Sequence, residues 1–125
     1  MHSADDIASG TMAKWAAAFS RLDADALASL YSRHALFFGS NPKLYRGREG
    51  VRSYFAGLPR WKAQSVRFTD VSTEAAGTEV VNTAGTANFA FDDAILTVKI
   101  TWVIVREDGD WKIVSHHVSS KAPLI

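Results

Sequence analysis

Residues Leu96, Val98, Ile100, Trp102 and Ile104 are all apolar, and Thr97, Lys99 and Thr101 alternate with them. Only an extended strand with one buried face reads this way, because successive side chains on a strand point to opposite sides. The even-numbered set is therefore the core face. The run ends at "REDGD", a turn signal, and "WKIVSHHVSSK" resumes the extended pattern. Two further β-rich runs precede it, "QSVRFTDVSTE" and "EVVNTAGTANFAF", with "AAG" and "DDA" as short links. Short links between successive strands predict an antiparallel meander.

The region before Gln64 has a different period. Ile7, Thr11, Trp15, Ala18, Phe19 and Leu22 lie at helical spacing, and Ser3 with Asp6 forms a capping-box pattern. Asp23 is placed to cap a short second helix, "ADALASLYS", with Leu27, Leu30 and Tyr31 inward. "ALFF" predicts a short strand and "GSNPKLYRG" a loop. "REGVRSYFAGLP" predicts a third helix carrying Val51, Tyr54, Phe55 and Leu58, stopped by Gly57 and Pro59. Helices first and strands afterwards predict an α+β domain: three helices packed on a strongly curved antiparallel sheet of four to six strands.

At 125 residues the chain is one domain, residues 1–125. Fourteen Lys+Arg against thirteen Asp+Glu, with no basic run, argue against nucleic acid as a partner. No cysteine is present, so thiol chemistry and thiolate-bound zinc are excluded. The acidic N-terminus lacks the pattern of a signal peptide, and no apolar run approaches the ~20 residues of a membrane span. The expectation is a cytoplasmic protein that binds no membrane, metal or cofactor.

The candidate chemistry lies in His116 and His117. As strand neighbours they face opposite ways, so they cannot share one metal or one reacting atom on an unbulged strand. The turn decides which one faces in. A three-residue turn "EDG" pairs Ile100 with His116, and a two-residue turn "DG" pairs Ile100 with His117. Both turns suit the sequence.

The elements "W…AF..LDADALASLYS", "LYRGREGVRSYF" and "DGDWKIVSHHVSS", in that order, resemble the SnoaL-like branch of the nuclear transport factor 2 superfamily. The resemblance implies a cone-shaped α+β barrel with a pocket at its wide end, dimerised through the sheet. It is similar to the steroid delta-isomerases of that superfamily, but carrying their residues over position by position leaves gaps. Their oxyanion-donor tyrosine falls at Trp15, their base at Gly39 next to Ser40, and their third acid near Thr101 or Trp102. The arginines of the kinase association domain fall at Trp102 and Val118. The resemblance therefore carries neither an isomerase base nor an anion clamp. It does imply that positions 102 and 118 face the pocket, which places His116 inward and His117 outward, opposite Lys99.

On this reading Trp15, Phe38, Phe55, Trp61, Trp102 and Val118 surround a ligand pocket, with His116 as candidate catalytic acid–base group. An apolar wall suits a ring-containing apolar molecule. The same indoles equally suit a filled cone with no room for a ligand. His116 has a bland counterpart too, a buried histidine satisfied by a backbone carbonyl or a hydroxyl. His34 is expected to cap the second helix as a cation near its C-terminus, and His2 carries no signal. Ala84, Gly85 and Ala87 either relieve crowding at a bend or leave space for a ligand, and Asn88 partners a ligand if it faces inward. Arg46, Arg48 and Arg52 read as a solvated face. Two functions follow. One is a small-molecule-binding domain that acts as a cofactor-free isomerase, cyclase or hydrolase; the other is a non-catalytic ligand-binding or dimerisation domain.

Overall fold

The computed structural model describes residues 3–125, so His2 lies outside the described residues. Three helices precede or interrupt six strands: α1 (Ala4–Ser20), α2 (Ala24–Ser29), β1 (Tyr31–Phe38), β2 (Leu44–Arg46), α3 (Gly47–Ala56), β3 (Gln64–Ala75), β4 (Val80–Phe91), β5 (Ala94–Glu107) and β6 (Asp110–Ser120). Both predicted caps form. The Ser3 side chain accepts a hydrogen bond from the Asp6 N–H, and Asp23 Oδ1 accepts from the Ala26 N–H. The buried stripe of α1, Ala8, Thr11, Met12, Trp15, Ala18 and Phe19, has the spacing that lays one helical face on a sheet.

The strands form one sheet in the order β2-β1-β6-β5-β4-β3. β3 to β6 are the expected antiparallel meander, but β1 pairs with β6 in parallel, so the sheet is mixed. It curves as a cone without closing: β2 and β3 are free edges. The parallel pair joins segments far apart in the chain, and no local sequence signal encodes it. Among the described residues no helix is long and apolar enough to cross a membrane.

Two assignments near α2 change. The helix stops at Ser29, so Tyr31 belongs to β1 and is fully buried there. His34 also lies in β1, exposed, and caps no helix. The arginines of α3 and its approach differ from one another. Arg46 is exposed, and Arg52 makes surface ion pairs with Asp25 and Glu49. Arg48, by contrast, is structural: its Nε donates to the Tyr31 carbonyl at 2.9 Å and its Nη2 to Glu107 Oε2 at 2.9 Å. Glu107 Oε1 also accepts from the Ser32 hydroxyl at 2.6 Å. That hydrogen bond, more than any other influence, holds the Glu107 carboxyl below the usual carboxylate range. The cluster ties α3, β1 and β5 together directly behind Tyr31.

The small residues of β4 answer to packing. Gly85 lies beside an irregularity in β3 between Thr69 and Ser72, where Asp70 takes a positive φ of 53°. A Cβ at Gly85 would sit 3.1 Å from Val71 Cγ2. Asn88 donates to the Arg67 carbonyl and Thr69 Oγ1 and accepts from Thr97 Oγ1, which leaves it committed within the sheet.

Candidate functional site

The turn between β5 and β6 is Asp108-Gly109, with Glu107 opposite Asp110. Both residues have positive φ, 54° and 85°, as the two-residue hairpin turn with Asp-Gly requires. Continued without interruption, this register would turn His117 inward. It is interrupted: Ile104 pairs with Ile113, but Val103 pairs with Ser115, so Val114 is an extra residue on β6. The bulge exchanges the two faces of β6 beyond it. Trp102 then stands opposite His116 and Ile100 opposite Val118. His116 is 4% exposed, while His117 faces outward opposite Thr101 rather than Lys99. Spacing alone offered two unbulged turns, and the protein uses neither pairing.

Parallel pairing carries this orientation to β1. Phe37 is level with His116 and shares its inward face, and Phe38 is level with His117 and shares the outward one. Phe38 is accordingly no part of the cavity wall: it is 39% exposed and its ring lies 5.5 Å from that of His117. Phe37 takes the place expected of it. Its ring stacks on His116 with centroids 4.5 Å apart.

Between the helices and the concave face of the sheet lies a cavity of about 450 Å³. Trp15, Phe55, Trp61, Trp102, His116 and Val118 all contribute to its wall. Trp15 is its aromatic hub, with ring centroids 5.3 Å from Phe19, 5.7 Å from Phe55 and 5.9 Å from Phe68. Trp61 stacks on Phe91 at 4.2 Å. The two large indoles at positions 15 and 102 thus narrow the cone without filling it. The other polar members of the wall are Ser40, Tyr54, Ser119 and Ser120, and among the described residues no charged side chain lines it.

The hydrogen-bond partner of His116 was hidden from sequence reasoning. Tyr31 Oη lies 2.8 Å from His116 Nδ1, across 85 positions of sequence, and also accepts from Trp15 Nε1–H at 3.0 Å. The indole can only donate. The Tyr31 hydroxyl therefore has its proton free to give, and His116 Nδ1 is the acceptor within reach. This assignment pairs Trp15 Nε1, Tyr31 Oη and His116 Nδ1 and leaves the imidazole proton on Nε2. Burial in this apolar setting lowers the His116 pKa to about 3, with His117 adding a smaller push in the same direction. Burial also raises the Tyr31 pKa. Both groups are neutral around pH 7.

Gly39, the position that the resemblance matches to the isomerase base, has no room for a side chain. At Gly39 a Cβ would lie 2.6 Å from Tyr54 Cζ, and Tyr54 is anchored there by the Ser40 N–H, which donates to its hydroxyl at 3.0 Å. No side chain fits without displacing the tyrosine ring. Gly39→Ala is expected to cost about 1–3 kcal/mol by overpacking, read from urea unfolding. An unchanged midpoint would show that the Tyr54 ring yields freely.

The fold and site define a class, a helix-backed curved sheet around an apolar, aromatic cavity. Residues 9–123 match the SnoaL-like domain family, and the chain belongs to it. No curated protein matches the sequence closely. Among solved structures, one from Xanthomonas campestris named as a calcium/calmodulin dependent protein kinase II association domain superposes with a TM-score of 0.84. It is 20% identical, covering 94% of this chain and 87% of that one. A protein from Streptomyces avermitilis named as a dehydratase of the NTF2-like family gives 0.81 at 20% identity, covering 94% and 95%. Another from Novosphingobium aromaticivorans, named as a scytalone dehydratase, gives 0.82 at 13% identity, covering 93% and 83%. At these identities the likeness establishes the fold, and the chemistry must come from the site.

Proposed function

We propose that this SnoaL-like domain binds an uncharged, ring-bearing apolar molecule in the cavity beneath α1 and α3. The observation that carries the reading is the wall itself: aromatic and aliphatic side chains, a neutral histidine and no charged group. A charged ligand entering it would lose its hydration without gaining a counter-ion. A planar ring system would meet indole and phenyl faces on several sides.

His116 fits this role as a hydrogen-bond donor rather than as a base. Its buried imidazole, at a pKa of about 3, has little affinity for a proton taken from carbon. Its Nδ1 is occupied by Tyr31. The structural relatives named as dehydratases make a reaction in such a cavity a reasonable object of search, but what the cavity of this chain supports is binding and polarisation.

Methyl 2-naphthoate and 2-naphthoate have nearly the same shape and differ in charge. Titrated against the intrinsic tryptophan emission, the ester is expected to saturate and the carboxylate to bind about 100-fold more weakly. Equal affinities, or no saturable response to the ester, would overturn the reading.

A further inference from the structure

The two free edges of the sheet differ in length: β2 has three residues and β3 has twelve. Proteins keep such edges from pairing by shortness, proline, lysine or a bulge. β2 is short. β3, "QSVRFTDVSTEA", has no proline and no lysine. Its one irregularity, at Asp70 and Val71, leaves an extended stretch on either side.

The backbone phase of both stretches follows from their ends. The Asp92 N–H donates to the Ala63 carbonyl at 2.8 Å, and the Ala76 N–H donates to the Val80 carbonyl at 2.9 Å. Ala63 and Ala76 thus turn their backbone groups toward β4, and along an antiparallel ladder this direction alternates. Gln64, Val66 and Phe68 therefore present N–H and C=O to the open edge, as do Thr73 and Ala75 beyond the bulge. Phe68 and Thr73 stand opposite the buried Ala87 and Thr83, so this set of side chains points inward. Arg67 and Glu74 lie on the other face and are exposed. Among the described residues neither forms an ion pair.

We propose that β3 pairs antiparallel with β3 of a second copy of this chain, about a two-fold axis at the bulge. This surface is the sheet edge, distinct from the sheet face through which the family resemblance implies dimerisation. Cross-edge hydrogen bonds need residues whose backbone faces outward on both strands. Val66 opposite the partner's Ala75, and Phe68 opposite the partner's Thr73, meet that condition. The same register sets Arg67 opposite the partner's Glu74 and, by symmetry, Glu74 opposite the partner's Arg67. A slip of two residues either way keeps the backbone in phase but faces Arg67 with Ser72 or Ala76, and both ion pairs are lost. Beside the edge, between α1 and β3, runs a groove of about 470 Å³ lined in part by Met12, Ala13, Ala16, Val66 and Phe68. In this register the partner's small Thr73 and Ala75 border that groove and leave room for the bulkier Phe68 and Val66.

The chain has no cysteine, so introduced thiols report one contact. In Arg67→Cys/Glu74→Cys each thiol faces its counterpart on the partner, at the spacing of a non-hydrogen-bonded pair that a disulfide can bridge. Within one chain the same two positions are roughly 20 Å apart along the strand. Mild oxidation should convert the double variant to a covalent dimer on a non-reducing gel, while either single variant stays monomeric on that gel. Sedimentation of the charge variants reads the contact without a cross-link. Arg67→Glu and Glu74→Arg should each weaken self-association about tenfold, because each turns two ion pairs into two repulsions. The double reversal Arg67→Glu/Glu74→Arg should restore it. No covalent dimer in the double variant, or equal cross-linking in the single ones, overturns the proposal. So does a monomeric intact protein, or association that ignores both charges.

Discussion

Replacing Phe37 by Ala should destabilise the protein by about 3–5 kcal/mol, the range for a buried phenylalanine whose neighbours collapse only partly, while Phe38→Ala should cost less than about 1 kcal/mol. The two residues are adjacent and chemically identical, so the difference comes from orientation alone. Phe37 is 1% exposed and packs on His116, Tyr54 and Phe55, whereas Phe38 is 39% exposed on the outer face. Urea unfolding of both variants checks the parallel register of β1 against β6, because a one-residue slip would exchange the two costs. Comparable losses for the two variants would show that the outer face is covered in solution.

Most of the fold is legible where the determinants are local. The caps at Ser3 and Asp23, the stripe of α1 and the alternation along β5 each lie within a few residues of the structure they specify. The site is less legible because its determinants are distant or cost a single residue. Nothing in "WKIVSHHV" announces that Val114 is a bulge, yet that one extra residue decides which histidine faces the cavity. The unbulged two-residue turn predicts the wrong one. The family resemblance gives the correct face, although the three-residue turn that agrees with it is not the turn the protein makes. Local pattern cannot place Phe38 for a related reason: in "ALFF" the two phenylalanines are indistinguishable until β1 is paired. Spacing places Tyr31 at the end of a helix, and its bond to His116 spans 85 positions, beyond any local pattern. Its phenol is the acceptor of Trp15 and the donor to His116, so the residue that organises the site was the one that spacing could not find.

Acid should unfold this protein earlier than its carboxylates alone would dictate. His116 has a folded pKa of about 3 against an ordinary value of 6.5, so between those values the unfolded chain takes up a proton that the folded chain refuses. The unfolded state then binds more protons, and stability falls as pH falls. The slope is about 1.4 kcal/mol per pH unit below pH ~6.5, or about 2 kcal/mol lost between pH 7 and pH 5. Glu107 contributes with the same sign at lower pH, since its folded carboxyl is held below its ordinary value of 4.5 and its contribution vanishes as that carboxyl is protonated. Between pH 7 and 5 the histidine dominates of the two. His116→Gln keeps an acceptor for the Tyr31 hydroxyl and cannot titrate, so its unfolding free energy should be flatter across that interval. The imidazole resonances of His116 in the unaltered protein should meanwhile hold their neutral positions down to pH 5. A midpoint for His116 near 6.5 would mean that water reaches the ring.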